Sequence, residues 1–137
     1  MWLVYALLSA FFAALVAILA KIGMKGVDSD IATAIRTIVI LVVAWTIVLA
    51  RGLAPQIQTL NTRNWIFIGL SGLATGLSWL FYFRALQLGK VAQVAPIDKL
   101  SVALAIVLAI FFLGEIPSWK MVIGAALILA GTLTIAL

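Results

Sequence analysis

Cysteine and histidine are absent from this chain. Without cysteine there is no disulfide framework and no thiol nucleophile. Without histidine the commonest metal ligand and the commonest general base are missing. Charge is scarce: 9% of the 137 residues are charged, and only four are acidic. Of these, only Asp98 lies deep in an apolar run, so neither paired carboxylates nor a nucleophile with its base can be assembled. The chain is therefore not expected to be an enzyme. No catalytic residue, metal site or cofactor is predicted. Period-two alternation is also lacking, which excludes a β-barrel. The net charge of +5 comes without an aromatic-interleaved basic cluster, so nucleic acid is not an expected partner.

Apolar length is abundant. The chain is 66% hydrophobic, with a mean hydropathy of +1.32, which a water-soluble domain could not cover. The expected solvent is a bilayer, whose hydrocarbon takes roughly 20 apolar residues to cross as a helix. Punctuation by Gly, Pro and charge divides residues 1–137 into five runs forming one domain, with helices at about 2–24, 31–50, 65–88, 91–113 and 118–137. The fold class is all-α, a polytopic membrane protein with five transmembrane helices. The first run has no charged leading region and is long and apolar, so it reads as a retained helix rather than a cleaved signal. "LAPQIQTLNTRN" reads as the one real loop and "GEIPSW" as a tight turn. Trp2, Trp65 and Trp119 fall at run ends, where amphipathic rings favour the headgroup level.

Five spans put the two termini on opposite sides. Arg51, Arg63 and Lys120 lie in loops on the N-terminal side, and Lys21, Lys25, Arg84 and Lys90 on the other. The bias weakly favours a cytoplasmic C-terminus in the cytoplasmic membrane, and its smallness admits dual topology.

The helix faces carry further information. Ser71, Thr75, Ser78 and Tyr82 are spaced as one polar face of the third helix. Together with Trp79 they are candidates to line a solute path; the bland alternative is inter-helix or own-backbone hydrogen bonding. Gly69, Gly72 and Gly76 form a second face, and Gly124 and Gly131 mark the fifth helix. These glycines read as packing seams, since small residues let helices approach closely in lipid. In "VAPIDKLSV", Asp98 and Lys99 follow Pro96 and precede Ser101 in an otherwise apolar run. Arg36, entering the second helix from the same side, is placed at a similar depth. A charge in hydrocarbon costs at least ~2.5–3.5 kcal/mol, so Asp98 is expected to pair with Arg36 or another cation at its depth. Adjacent Lys99 points ~100° away on a regular helix and can snorkel upward. The bland reading of these charges is a structural ion pair; the functional one is a charged cavity lining. Pro96 is expected to bend the fourth helix and free a backbone carbonyl, as in the broken helices of many transporter sites.

The run "FYFRALQLGKVAQVAPIDKLSVALAIVLAIFFLGEIPSWKMVIGAALILAGTLTI" resembles the EamA-type half of the drug/metabolite transporter superfamily. The resemblance covers residues 1–137 and is strongest from residue 79 on. It rests on Tyr82, Ala85-Leu86, the Gly89 turn, Pro96, "FFLGE" ending at Glu115 and the closing "GAALILAG". The "PIDKLS" stretch is similar to the short, single-domain members. The resemblance implies one half of a ten-helix, inverted-repeat transporter fold. It also implies secondary transport of small solutes or metabolites, mostly export. A five-helix chain of this kind is expected to act as a dimer with alternating access. The odd span count and weak charge bias make an antiparallel homodimer the expected assembly. Two alternatives are carried: a flippase-like carrier of lipid or lipid-linked head groups, and a non-transporting membrane subunit.

Overall fold

The computed structural model describes every residue from Met1 to Leu137. It contains helices and turns and no strand. Five helices are long and apolar enough to cross a membrane: Trp2–Gly23, Ser29–Ala50, Thr62–Leu88, Val91–Leu113 and Trp119–Ala136. The chain is an all-helical, multi-pass membrane protein. It divides into two compact units, Met1–Gln87 and Leu88–Leu137.

The first unit holds α1 (Trp2–Gly23), α2 (Ser29–Ala50) and all but the last residue of α3 (Thr62–Leu88). The starts of α2 and α3 are set by caps rather than by where the apolar run begins. The Asp28 side chain accepts from the Asp30 backbone N–H at 2.8 Å and opens α2. Asn61 Oδ1 accepts from Asn64 N–H at 2.9 Å, so α3 begins three residues before Trp65. Both carboxylate and amide oxygens satisfy N–H groups that have no partner inside the helix. The long polar loop contains a 3-10 helix, Ala54–Thr59, with Pro55 in its first turn, where a fixed φ and a missing N–H cost nothing.

Polar contacts tie the end of α3 to the α1–α2 link. Lys21 Nζ donates to the carbonyls of Leu86 and Gln87. These belong to the group of terminal helix carbonyls left without intrahelical partners, and a cation there also complements the helix dipole. Gln87 Nε2 donates to Val27 O at 2.9 Å, and Arg84 lies 3.8 Å from Asp28. Gly26, at φ +80°, turns the link that receives these bonds; such a φ suits glycine because it has no Cβ. Beneath them Ala17, Met24, Phe83 and Leu86 are buried, as are Ser29 and Thr33.

The second unit holds the fourth span, in pieces, and α6 (Trp119–Ala136). The fourth span runs as α4 (Val91–Asp98), a turn at Lys99, α5 (Leu100–Leu108) and a π-helical turn, Ala109–Leu113. α6 packs on both α4 and α5. The interruption falls three residues after Pro96 and not at it. Lys99 N–H bonds Pro96 O at 2.9 Å in a tighter turn, and Lys99 has ψ −7°. Gly114, at φ +66°, ends the span.

Candidate functional site

Arg36 is the centre of the first unit's polar chemistry. On α2, Ser29, Thr33 and Arg36 are spaced i, i+4, i+7 and share one face. Ser29 is fully buried and Thr33 nearly so. Thr33 Oγ1 donates to Ser29 O at 2.8 Å, closing its own polarity within the helix. Arg36 has no such local outlet. Its guanidinium carbon lies over the rings of Trp79 and Phe83, 4.8 and 4.1 Å from their centroids. Trp79 and Phe83 are four residues apart on α3, one turn above another on one face. Phe83 is locked in turn by an edge-to-face contact with Tyr82, centroids 5.3 Å apart.

Each ring stabilises the cation by about 0.5–2 kcal/mol. Together they offset much of the roughly 2.5–3.5 kcal/mol that a charge in hydrocarbon costs. The rings attract the charge but offer its N–H groups no lone-pair acceptor. Nη1 is buried and has no hydrogen-bond partner, and Arg36 has no carboxylate in either ion pair, Asp28–Arg84 or Asp98–Lys99. A cavity of about 470 Å³ opens beside it, lined by α1, α2, the link between them and Phe83. Every other lining side chain is apolar, and none is acidic.

The other residues singled out from sequence fall into three groups. Ser71, Thr75 and Ser78 lie on a face of α3 that the chain does not cover, and Thr75 Oγ1 donates to Ser71 O at 2.8 Å. Gly72 and Gly76 share a face with Trp79 and Phe83, at i, i+4, i+7 and i+11. The aromatic half of that face holds Arg36; the glycine half is bare. A Cβ at Gly69, Gly72, Gly76, Gly124 or Gly131 would meet nothing within 4 Å. The close approach these glycines permit is thus not made within their own units.

The third group is gathered in the second unit. Asp98, expected to pair with Arg36 or another cation at its depth, holds Lys99 at 3.4 Å, the neighbour that a regular helix would point away from it. The expectation assumed a continuous helix, in which neighbours diverge; the helix breaks at Lys99 and the turn brings the two together. Ser101 Oγ donates to Asp98 O at 2.7 Å. Thr132 Oγ1, on α6, donates to Pro96 O at 3.3 Å. Hydroxyls therefore take up two carbonyls on the N-terminal side of the break.

Three residues escaped the sequence reading of the site: Phe83, Ser29 and Thr33. The signal was present, since Ser29, Thr33 and Arg36 repeat the same i, i+4, i+7 spacing that marked the third helix, and Trp79 and Phe83 form an i, i+4 aromatic pair.

A cation clamped by aromatic rings in a multi-pass helical protein, beside an apolar cavity, fits a solute path better than a reaction centre. Comparison with known proteins agrees. The model of the EamA-like transporter family matches residues 1–137. A protein of Sinorhizobium sp., named as an uncharacterized transporter in the cobO 3' region, is 50% identical over 135 residues, covering 98% of this chain and 96% of that protein. No solved structure matches. By fold, by extent of match and by relative, the chain belongs to the EamA-like transporter family.

Proposed function

We propose that this transporter is a secondary exporter of small solutes in the cytoplasmic membrane, acting as an antiparallel homodimer with alternating access. The observation that carries the dimer is the bare glycine half of the α3 face, with nothing within 4 Å of a Cβ at Gly72 or Gly76. Glycines in a membrane helix are useful where another backbone comes close, and their own unit offers none there. The second copy closes on that half, next to the aromatic half that carries Arg36. The family match covers five spans, half of the ten-helix arrangement that the resemblance implies. An inverted copy completes the other half, and exchange of conformation between the copies opens each mouth in turn. Ser71, Thr75, Ser78 and Tyr82 line the path, Arg36 contacts the solute, and the Pro96–Ser101 turn of the second unit is the hinge.

The lipid head-group carrier is less favoured. It called on Lys21, Lys25, Arg36, Arg84 and Lys90 as one anionic-lipid patch, but Lys21 is engaged by the Leu86 and Gln87 carbonyls and Arg84 by Asp28.

A tag on either terminus, probed from both sides of intact cells, tests the assembly. Both termini should be reached from each side. If every copy keeps its C-terminus in the cytoplasm, the antiparallel homodimer is wrong. Flux in proteoliposomes tests transport separately, with a panel of small organic solutes.

A further inference from the structure

We infer that Arg36 is the anion post of a site for small organic carboxylates with an apolar body and no amino group. This inference names the substrate class and rests on the transport function proposed above. Three observations meet at one place. Arg36 Nη1 is buried without a partner. The guanidinium carbon lies 4.8 and 4.1 Å from the ring centroids of Trp79 and Phe83. The adjoining cavity of about 470 Å³ has no other polar lining side chain.

Each observation constrains the ligand. A guanidinium held against aromatic rings still presents a planar fork of N–H donors, which matches a carboxylate. A buried N–H without an acceptor is an unmet demand, and an arriving carboxylate meets it. The cavity volume lies within the range of about 300–1,000 Å³ that takes drug-sized ligands, and its aliphatic walls suit an apolar body. An ammonium group has no counterpart there. No acidic side chain lines the cavity, and the two rings able to hold a cation already hold Arg36. The site therefore favours a monoanion over the zwitterion of the same shape.

The test uses the full chain in lipid nanodiscs, calorimetric titration, and four probes: 3-phenylpropionate, its amide, phenylalanine and palmitate. The carboxylate should bind at least about tenfold more tightly than the amide, because a charge-assisted, bidentate pair is lost in the amide. Phenylalanine should also bind more weakly than 3-phenylpropionate. Arg36→Gln should abolish the preference of acid over amide. Arg36→Lys, which keeps charge but loses the fork, should lose most of it. Equal binding of acid and amide by the unaltered protein overturns the inference, whether or not the variants fold. So does a preference that survives in a folded Arg36→Gln protein, a phenylalanine affinity above that of 3-phenylpropionate, or binding of palmitate alone. Flux of other solutes by a protein that does not bind 3-phenylpropionate would sink this site and leave transport standing. Selective, Arg36-dependent binding with no flux of any solute would leave the site standing and sink the transport reading.

Discussion

Gly72→Leu separates the chain's own fold from its assembly. Within one chain a Cβ at residue 72 meets nothing within 4 Å, so the side chain has room, and the helix gains from losing a glycine. That gain is about 1 kcal/mol on scales measured in water. In the proposed dimer the same position faces the second copy. An inserted side chain in a packed interface costs about 1–3 kcal/mol. Two-fold symmetry places two such side chains in each dimer, so the dimer should weaken by about 2–6 kcal/mol. That corresponds to roughly a 30-fold or greater rise in the dissociation constant. The assay is subunit counting by single-molecule photobleaching in liposomes across a range of protein-to-lipid ratios, with circular dichroism recorded on the same samples. Helix content should be unchanged or slightly raised while the dimer fraction collapses. An unchanged dimer fraction would refute the seam. A drop in helix content would refute the open face itself, since it would mean that residue 72 touches its own fold. Gly131→Leu, also with nothing within 4 Å, gives the same comparison for the second unit.

Asp28→Ala should destabilise more than Arg84→Ala by thermal denaturation. Asp28 loses both a helix cap worth about 0.5–2 kcal/mol and an ion pair, whereas the exposed pair alone is worth about 0–1 kcal/mol; equal losses would deny the cap. Lys21→Met should speed amide exchange at the end of α3 and cost about 1–3 kcal/mol, because the charge-assisted bonds to the Leu86 and Gln87 carbonyls are removed. Unchanged exchange there would show that α3 is held otherwise. Thr132→Val should cost about 0.6–2 kcal/mol by removing the donor to Pro96 O, and Thr134→Val, whose hydroxyl bonds its own helix at Ala130 O, should cost less. Phe83→Ala should cost about 3–5 kcal/mol, since Phe83 is 1% exposed, and should loosen Arg36 as well, seen as accelerated hydrogen exchange along α2.

The long apolar runs alone dictated helices, because in lipid a backbone without water must satisfy its own polar groups. Their number, their approximate ends and the family were therefore legible in order and composition. Helix ends were less so. The apolar run starts at Trp65, but Asn61 caps α3 and the helix starts at Thr62, since capping is a local hydrogen bond and not a matter of hydropathy.

What sequence could not decide was which polar residues meet. Depth along a helix follows from residue number, and on that ground Asp98 and Arg36 looked like partners. Contact also needs the rotation of each helix and its continuity. The break at Lys99 gave Asp98 a neighbour on its own chain segment. The rotation of α2 and α3 gave Arg36 two rings in place of a carboxylate. Helical periodicity marks a face but not what it faces; Gly72 and Gly76 share their face with Trp79 and Phe83, yet only the aromatic half is covered. Composition and apolar run length thus determined the solvent and the secondary structure, and the resemblance of particular motifs pointed to the family. Tertiary structure decided the clamp around Arg36, because the partner of a buried charge is set by the packing of segments more than forty residues apart.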